Sequence, residues 1–548
     1  MNRKMVCLIL AILFATTTVV LAKQPVPNSG DAGRLEKRFK EPRGPKSTLR
    51  DGIKIPDLKG QTLPKEAEKK IFKLAHVAVE GATVYAVADF APFYKKYLSE
   101  MVSLADIYKI AKAITVKYRN AGYILTRAFV PVQTIQGGTV KISVLEGFVD
   151  KVVFEGNARI RQNLLKACTN KIVASRPLRS QDLERYLLLI DDLPGVSVKS
   201  VLKPSADQVG ATTLTLVLSY QMVAGNISFD NRGTESVGPY QGLVGLNLNS
   251  IFGFSEATTV RFATASEFEE LGYYQLGYVG ILGSEGMSLN FTATQSQSEL
   301  GDMPLDIDVE SESRSFSAQL SYPIIRSRRK NLSAYLGFTH RNSKTDLLGE
   351  KLSEDRLRIV QAGLNFDLAD RFRGVNFLNL EVSQGLNILN ETRTGSDYLT
   401  RTDGHSDFTK LVVNLSRTQQ LSQRLTALVS GAGQWAGHKL LSSEEFGIGG
   451  TSFGKAFDSS EITGDRGFAG LLELKYSSKF LKPFASIDYG QVHQIGTGQD
   501  ELASFGGGVR FGGKYFSGSV EIAKPLTHIV AAEGDQDARF FFSVKGGF

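Results

Sequence analysis

From about Ala224 to Phe548, the chain repeats segments of about ten to fifteen residues in which apolar and polar side chains alternate. Tyr240–Leu248, Ser315–Tyr322 and Asp407–Leu415 are examples, and Gly, Asn, Asp and Ser separate such segments. This alternation places successive side chains on opposite faces of a β-strand. In an outer membrane the apolar face would contact lipid and the polar face would line a lumen, and closure would leave no unpaired edge. We therefore expect a transmembrane β-barrel over residues 223–548.

Roughly 20 residues for each strand and its loop gives about 16 antiparallel strands for this tract. A soluble β-sandwich array, the alternative, would need hydrophobic cores that the polar-lined pattern does not supply. The last segment places Phe540, Phe542 and the terminal Phe548 in one alternating register. Such an ending resembles the signal that barrel-assembly machinery reads. We therefore expect that machinery as a partner through Phe548, and outer-membrane lipid and lipopolysaccharide as surroundings.

Residues 1–22 have the composition of a signal peptide. Arg3 and Lys4 precede an apolar run, and a small-residue cleavage site ends at Ala22. The apolar run is short for an anchoring helix. Removal of this segment would leave Cys168 as the single cysteine of the mature chain, so we expect no internal disulfide.

Residues 23–70 are polar and rich in proline, which predicts a linker. Within it, residues 31–41 could form a short helix with Asp31 as its N-cap and with Leu35 and Phe39 on one face. An isolated helix this short is marginal in water. We therefore expect it either to dock against another part of the protein or to be disordered.

Residues 71–148 and 149–222 contain the same pattern twice. Each copy is predicted to be a small α+β module with the order β-α-α-β-β. In the first copy, Ser103 and Asp106 have the spacing of a helix capping box, and Gly122 follows the helix. The predicted fold is therefore two α+β modules followed by an all-β barrel.

A glycine-rich stretch at residues 446–467 lies between barrel segments and carries one lysine among glycines and phenylalanines. Glycine allows tight backbone conformations, so the stretch can fold back as a compact hairpin whose tip packs into the protein. The alternative is an ordinary glycine-rich surface loop. The candidate tip residues are Gly449, Gly450, Phe453, Gly454, Lys455, Ala456, Phe457, Gly464, Asp465 and Gly467.

Several motifs together resemble the two-partner secretion transporters of the ShlB/FhaC/HecB haemolysin secretion/activation family. They cover nearly the whole mature chain, in the family's order and spacing. Gly122–Gln133, with Gly137-Gly138 and Val144–Gly147, resembles the family's first periplasmic POTRA module; Phe229–Gly238 resembles the start of strand one; Phe446–Phe457 resembles the tip of the sixth extracellular loop; and Pro483–Gly490 resembles the strand that faces this tip.

The resemblance implies that the loop at 446–467 folds into the lumen and that the helix at 31–41 is a possible plug. It also implies that Phe484, Asp488 and Gly490 face the loop tip. The family's tip usually carries Arg and then Gly, where this chain has Lys455 and Ala456. We predict that Lys455 pairs with Asp488 as a point charge, with less geometric restraint than arginine would impose. The alternative is that Lys455 only assists barrel assembly.

The implied function is an outer-membrane pore of a Gram-negative bacterium, with its POTRA modules in the periplasm. It would secrete, and in some cases activate, one large partner exoprotein such as an adhesin or a haemolysin. The client would dock on the modules by strand addition and pass through the barrel. Arg127, Pro131 and Gln133 match the family's first module and are candidate docking residues, although they could instead fix the module's own strand turn.

Two other transport functions stay open. A barrel-assembly insertase of the same superfamily would carry a similar loop, typically with more POTRA modules. A porin or surface receptor would not need periplasmic modules.

Catalysis and nucleic-acid binding are not expected. The six histidines are far apart in the sequence and form no HExxH motif, so no metal site is predicted. Gly449–Lys455 has P-loop spacing, but Ala456 stands where the Mg²⁺-binding hydroxyl would be. Gly450–Gly454 matches a nucleophile elbow in letters only, because no helix follows. The formal net charge of +8 is dispersed, so we expect no nucleic acid and no cofactor.

Overall fold

The computed structural model describes residues 30–39, 44–47, 67–156, 160–301 and 308–548. The predicted signal peptide at 1–22 and most of the linker at 23–70 lie outside these ranges. No helix in the described part of the chain is long and apolar enough to cross a membrane.

Helix α1 spans Ala32–Phe39 and precedes two α+β modules. The first module contains a three-stranded sheet and a separate two-stranded sheet. Its strands are β1 Lys70–Lys73, β2 His76–Glu80, β3 Met101–Ser103, β4 Arg127–Phe129 and β5 Thr139–Leu145, and its helices are α2 Ala91–Tyr94 and α3 Leu104–Asn120. Strand β5 lies between β2, which runs parallel to it, and β4, which runs antiparallel.

The capping box of the first module is formed as predicted. The Ser103 hydroxyl accepts the Asp106 N–H at 3.2 Å, and the Asp106 carboxylate accepts the Ser103 N–H at 3.1 Å. These bonds satisfy amides at the start of α3 that have no partner within the helix. The buried face of α3, with Ile107, Ile110 and Ile114, then packs into the module core.

The second module repeats the topology of the first. Its strands are β6 Phe148–Gly156, β7 Val196–Pro204 and β8 Ala211–Tyr220, and its helices are α4 Gln162–Ala174 and α5 Ser180–Asp191. The last strand again lies in the middle of the sheet, between β6 and β7. Cys168 is buried in the module core, and burial raises the pKa of its thiol to about 11.

The remainder of the chain forms a closed barrel of 16 antiparallel strands, which confirms the predicted fold class and strand number. The strands are β9 Val223–Asp230, β10 Gln241–Asn249, β11 Ala257–Ala265, β12 Gly272–Leu282, β13 Met287–Glu299, β14 Val309–Arg326, β15 Lys330–Leu347, β16 Glu350–Ala369, β17 Gly374–Gly385, β18 Thr409–Gln420, β19 Leu425–Ala436, β22 Arg466–Tyr476, β23 Leu481–Gln494, β24 Gly498–Gly512, β25 Phe516–Pro525 and β26 Arg539–Gly547. The short strands β20 Phe446–Ile448 and β21 Ile462–Gly464 form a separate hairpin.

Alternation along each strand divides the barrel wall into two faces. In β14, Phe316, Leu320 and Tyr322 are exposed on the outside, whereas Ser311 and Ser313 are buried on the inside. The inside of a barrel this wide is not filled by wall side chains alone. Other parts of the chain therefore have to account for the burial of its polar lining.

The barrel closes through a short seam between β9 and β26. The paired residues run from Ser543 opposite Asp230 to Gly547 opposite Asn226. Beyond this ladder, the side-chain amide of Asn231 accepts the Phe542 N–H at 2.7 Å and donates to the Phe540 carbonyl at 2.8 Å. A side chain thus replaces the backbone partner that β26 lacks at this end.

The second module is fixed to the barrel by ion pairs at its near end. The Asp192 carboxylate, at the end of α5, accepts hydrogen bonds from Nε and Nη2 of Arg326, each at 2.8 Å. The Glu285 carboxylate, in the turn between β12 and β13, accepts hydrogen bonds from the Arg185 guanidinium at 3.2 Å and from the Tyr186 hydroxyl at 3.0 Å. These contacts set the orientation of the module against the mouth of the lumen.

Candidate functional site: the lumen

The hairpin of β20 and β21 lies inside the barrel, against the wall formed by β22, β23 and β24. Its residues belong to a buried apolar cluster that also includes residues of the wall: Ile448, Ala456, Phe457, Ile462, Ala469, Val492, Leu502, Ala523, Val530 and Phe541. Phe453 packs against the edge of this cluster. Burial of these side chains holds the segment 449–461, here called the loop tip, within the lumen.

Two glycines make the loop tip possible. Gly449 has φ +130°, and a Cβ there would lie 1.9 Å from the Asp458 carbonyl oxygen. Gly454 has φ +68°, and a Cβ there would lie 2.9 Å from a methyl group of Leu502. L-residues rarely adopt these backbone conformations, and at Gly449 a side chain would also collide with the backbone. The glycine content of the stretch is therefore a steric requirement of docking the tip on the wall.

Asp488 of β23 binds the backbone of the loop tip. Its carboxylate accepts the Gly454 N–H at 2.9 Å, the Lys455 N–H at 3.3 Å and the Ser504 hydroxyl at 2.7 Å. A carboxylate that accepts several N–H and O–H groups is a strong anchor because each bond is charge-assisted. The predicted strand residue therefore does face the tip.

The predicted ion pair between the Lys455 side chain and Asp488 is wrong. The Lys455 ammonium instead donates to Glu473 of β22 at 2.9 Å and lies 3.8 Å from Glu521 of β25. The Asp488 carboxylate already accepts backbone N–H groups directly beneath the tip. The four-carbon side chain of Lys455 extends past this carboxylate, so its ammonium reaches Glu473 on the neighbouring strand β22. Sequence reasoning missed Glu473, which alternation alone does not distinguish from other lumen residues.

Phe484 forms the floor beneath this cation. Its ring lies 5.2 Å from the Lys455 ammonium and 4.0 Å from the Arg510 guanidinium. Arg510 also donates to both carboxylate oxygens of Glu473, at 2.6 and 2.7 Å. Glu473 is thus shared by two cations, both of which lie over one aromatic ring.

Two arginines that sequence reasoning did not select hold the carbonyl groups of the tip. Arg232, just after β9, donates to the Lys455 carbonyl at 2.6 Å, and Arg539, at the start of β26, donates to the Ala456 carbonyl at 3.0 Å. Arg539 also pairs with Asp458 at 2.8 Å. Arg232 belongs to the stretch that resembles the start of strand one, which is the signal that could have identified it.

Asp465, at the base of the hairpin, is fully buried. It accepts the Leu440 N–H at 2.6 Å, the Ile495 N–H at 2.8 Å and the Arg401 guanidinium at 2.6 Å. Gly464 ends β21, and two further predicted glycines, Gly467 and Gly490, lie where the hairpin meets the wall. Asp465 therefore ties three loops together at the point where the hairpin enters the lumen.

Helix α1 also lies inside the barrel, on a wall rich in hydroxyl groups. The Ser311 hydroxyl accepts the Ala32 N–H at 3.1 Å, and the Ser296 and Ser298 hydroxyls donate to the carbonyls of Ala32 and Gly30 at 2.6 and 2.7 Å. These bonds satisfy backbone groups at the start of the helix. Short polar side chains leave the room that a helix needs.

Helix α1 is joined to the loop by buried charges. Arg34 of the helix pairs with Glu445, which also binds Arg401 at 2.9 Å. Glu444, the preceding residue, lies between Arg341 at 2.6 Å and Lys410 at 2.6 Å. Glu444 and Glu445, here called the loop carboxylates, therefore connect the helix to both the loop and the wall.

The other end of α1 contacts the first barrel strand. Arg38 donates to the Arg232 carbonyl at 2.7 Å and pairs with Asp230 at 3.1 Å. Because Arg232 also holds the loop tip, the helix and the tip share a contact residue. The two bodies inside the lumen are thus linked at both ends of the helix.

The three candidate docking residues lie together at one edge of the first module. Arg127 begins β4, an edge strand, and Pro131 follows its end. The Gln133 amide accepts the Lys141 N–H at 2.8 Å and donates to the Lys141 carbonyl at 2.8 Å. Gln133 therefore extends the pairing of β5 past the end of β4.

Comparison with known proteins agrees with this architecture. Residues 214–511 match the family of haemolysin secretion/activation proteins ShlB/FhaC/HecB, and residues 72–147 match the POTRA domain of the ShlB type. The heme/hemopexin transporter protein HuxB of Haemophilus influenzae is 24% identical over 458 residues, which cover 80% of each chain.

Two solved structures share the fold. CdiB from Escherichia coli matches with a TM-score of 0.73 and 22% identity, covering 88% of this chain and 92% of CdiB. BamA from Haemophilus ducreyi, lacking POTRA domains 1–3, is more distant: its TM-score is 0.53 and its identity 12%, covering 87% of this chain and 100% of that one.

Proposed function

Because the chain belongs to the ShlB/FhaC/HecB family of haemolysin secretion/activation proteins, it is an outer-membrane transporter of a large partner exoprotein, and we propose that its helix α1 and loop tip gate the pore. The family is one of transporters with periplasmic POTRA domains and a barrel in the outer membrane. Helix α1 and the loop tip both occupy the lumen, and a polypeptide needs a wider path than the space left between them. At least one of them has to move.

The observation that carries the gating proposal is the polar attachment of α1. The helix has eight residues: serine hydroxyls and the ion pairs of Arg34 and Arg38 bind it to the wall and loop, and its apolar contacts with the wall come from Ala32, Leu35 and Phe39. Hydrogen bonds exchange for contacts with water or with a client, so the net free energy of each is about 0.5–1.5 kcal/mol. An eight-residue helix is also unstable alone. Withdrawal of α1 into the periplasm would therefore open the lumen at modest cost.

We propose that the client docks first at the edge of the first POTRA module. Strand β4 is an edge strand of three residues, and Val132 beyond it is fully exposed. Extended peptides commonly add to such an edge through main-chain hydrogen bonds, and neighbouring side chains supply specificity. Arg127 and Pro131 lie on this edge. Gln133 supports the edge from within the module, since its amide is used by Lys141.

Contacts with lipopolysaccharide and with the barrel-assembly machinery are part of the same proposal. Phe548 exchanges both backbone hydrogen bonds with Gly225, at 3.0 and 3.1 Å, so the chain ends at the seam. A receptor that reads the terminal aromatic residue would therefore act before the seam closes. Phe548→Ala should lower the amount of barrel in the membrane, and the same change at Phe540, outside the last position, should lower it less.

The experiment that tests the function compares culture supernatants and outer-membrane proteomes of cells with and without this gene. We expect loss of one or two large surface or released proteins, with other barrels unchanged. A broad fall in many outer-membrane barrels would instead indicate an insertase. An unchanged proteome with altered uptake of small solutes would indicate a porin.

A further inference from the structure

One wall of the lumen carries an excess of positive charge near its periplasmic end. A cavity of about 480 Å³ lies beneath the loop tip, between β9 and strands β22 to β26. Six cationic residues line it, against the two carboxylates of Asp230 and Glu521. The cations are Arg232, Lys455, Lys475, Lys482, Arg510 and Lys545.

The carboxylates near this cavity are already engaged. Glu473 binds both Lys455 and Arg510, and Glu521 binds Arg232 at 2.6 Å. Asp230 pairs with Arg38 of α1. Arg232, Lys455 and Arg510 already pair with the carboxylates near the cavity, so the net charge of the cavity lining remains positive.

The other three cations have no such partner. Within the part of the chain that the structure describes, the ammonium groups of Lys475, Lys482 and Lys545 make no hydrogen bond or ion pair. Lys482 and Lys545 are exposed within the mouth of the lumen, and Lys475 is half-buried. These three residues are here called the lysine cluster.

The strand register increases the repulsion. Lys482 of β23 lies directly opposite Arg510 of β24, and Lys545 of β26 lies opposite Ser517 of β25. Like charges directly opposite each other on one face of a sheet are destabilising. Among the described residues of the wall, Glu473 is the carboxylate that pairs with Arg510, and it already binds Lys455 as well. An anion from outside the wall would relieve the repulsion.

Helix α1 does not cover the lysine cluster. The start of the helix lies against β13 and β14, where Ser296, Ser298 and Ser311 bind it, and its other end reaches Asp230 in the lining of the cavity. The lysines lie on β22, β23 and β26, which form a different part of the wall. Helix α1 therefore leaves the cluster accessible to a chain that enters from the modules.

We propose that the lysine cluster is a binding site for the carboxylate side chains of an extended acidic polypeptide segment entering the lumen. This inference rests on the proposed function, because it assigns the chemistry of the client segment that first meets the barrel. Ammonium–carboxylate contacts on flexible stems tolerate many sequences, which suits a moving chain. The attraction should weaken at high ionic strength, since the Debye length falls from about 10 Å at 0.1 M to about 3 Å at 1 M salt.

The test is binding of a fluorescein-labelled peptide of twelve glutamates to the full-length protein in neutral detergent, followed by fluorescence anisotropy. We expect the triple variant K475Q/K482Q/K545Q to bind at least about tenfold more weakly than the natural protein. The control variant K330Q/K479Q/K514Q removes the same charge from the periplasmic turns and strand ends outside the cavity, and should bind normally. Heat-modifiable migration in gel electrophoresis checks that each barrel is folded, and K475R/K482R/K545R should restore binding.

Equal affinity in the triple variant and the natural protein, or an equal loss in the control variant, would overturn the proposal. So would equally tight binding of a twelve-lysine peptide. Secretion of the partner exoprotein is measured in parallel with the same strains. If the natural protein supported normal secretion but did not bind the peptide, only the proposed role of the lysine cluster would be refuted. If no secreted partner were found at all, the proposed function would be refuted.

Discussion

The Lys455 ammonium at the loop tip and the Glu473 carboxylate in the barrel wall lie 2.9 Å apart, and both side chains are about 5% exposed. Arg510 donates to the same carboxylate from the other side. The backbone of the tip is held separately, by Asp488. These two attachments of the tip use different residues of the wall, so they can be removed one at a time.

We expect Glu473→Gln to loosen the loop more than Lys455→Ala does. Removing Lys455 leaves Glu473 bound to Arg510, whereas neutralising Glu473 leaves the buried Lys455 ammonium and the partly exposed Arg510 guanidinium without their shared carboxylate. A substitution that leaves a buried charge without its partner costs about 3–5 kcal/mol. The loss of one hydrogen bond to a charged group costs about 1.5–3 kcal/mol. The rate of protease cleavage within 446–467 in intact outer membranes measures the difference.

Lys455→Arg is the matched control, because arginine keeps the charge and can reach the same carboxylate. It should preserve secretion and protease resistance. If Lys455→Ala proved more protease-sensitive than Glu473→Gln, the shared-carboxylate explanation would be wrong.

Arg34→Ala should release the plug without unfolding the barrel. Arg34 contributes the helix side of the pair with Glu445, and Arg401 continues to neutralise that carboxylate. Loss of about 1.4 kcal/mol of helix binding would raise the fraction of open channels about tenfold. Single-channel recordings in planar bilayers measure this fraction.

Lys37→Gln is the control for the plug prediction, because Lys37 of the same helix donates only to a carbonyl, that of Glu445, at 3.1 Å. It should change the open fraction less than Arg34→Ala. An equal increase in both variants would mean that overall helix charge, rather than the Arg34 pair, holds the plug.

Asn231→Ala should weaken the barrel seam. The substitution removes two hydrogen bonds between the Asn231 amide and strand β26, each worth about 1 kcal/mol. The temperature at which the barrel loses its compact migration in gel electrophoresis should fall. Asn231→Asp keeps the acceptor for the Phe542 N–H but loses the donor to the Phe540 carbonyl, so its melting temperature should be intermediate. A melting temperature unchanged in Asn231→Ala would show that the backbone ladder alone sets seam stability.

The first module should lose stability in acid because of Glu146. Burial disfavours the charged carboxylate, but hydrogen bonds from the hydroxyls of Thr83 and Tyr118 and from the N–H groups of Thr83 and Val84 outweigh burial and hold the pKa of Glu146 below its usual range. A carboxyl group whose pKa is lowered on folding stabilises the fold above its unfolded pKa of about 4.3, and this contribution disappears as the pH falls through the folded pKa.

Hydrogen exchange of the amides of residues 71–148 measures this effect in the full-length protein. Protection in the natural protein should decrease between about pH 5 and the folded pKa of Glu146. The Glu146→Gln variant should be less stable at neutral pH, and its protection should depend less on pH across that window. Parallel pH profiles in both proteins would exclude Glu146 as the titrating group.

The sequence was sufficient for features that depend on neighbouring residues along the chain. Alternation with period two predicts strands, and the capping box of Ser103 and Asp106 predicts where α3 begins. The spacing of the segments predicts 16 strands. These features are local because backbone geometry repeats every few residues, so a short window of sequence contains the information.

The partners of the charged lumen residues were decided only by the tertiary structure. Lys455 meets Glu473 rather than Asp488, and Gln133 binds Lys141 of its own module. Arg34 of α1 meets Glu445, 411 positions away in the sequence. Such contacts depend on strand register accumulated around the closed barrel and on the length of each side chain. Alternation places Glu473 and Asp488 on the lumen face of the wall, where the two carboxylates are chemically equivalent, and only their positions in space distinguish the one that Lys455 reaches.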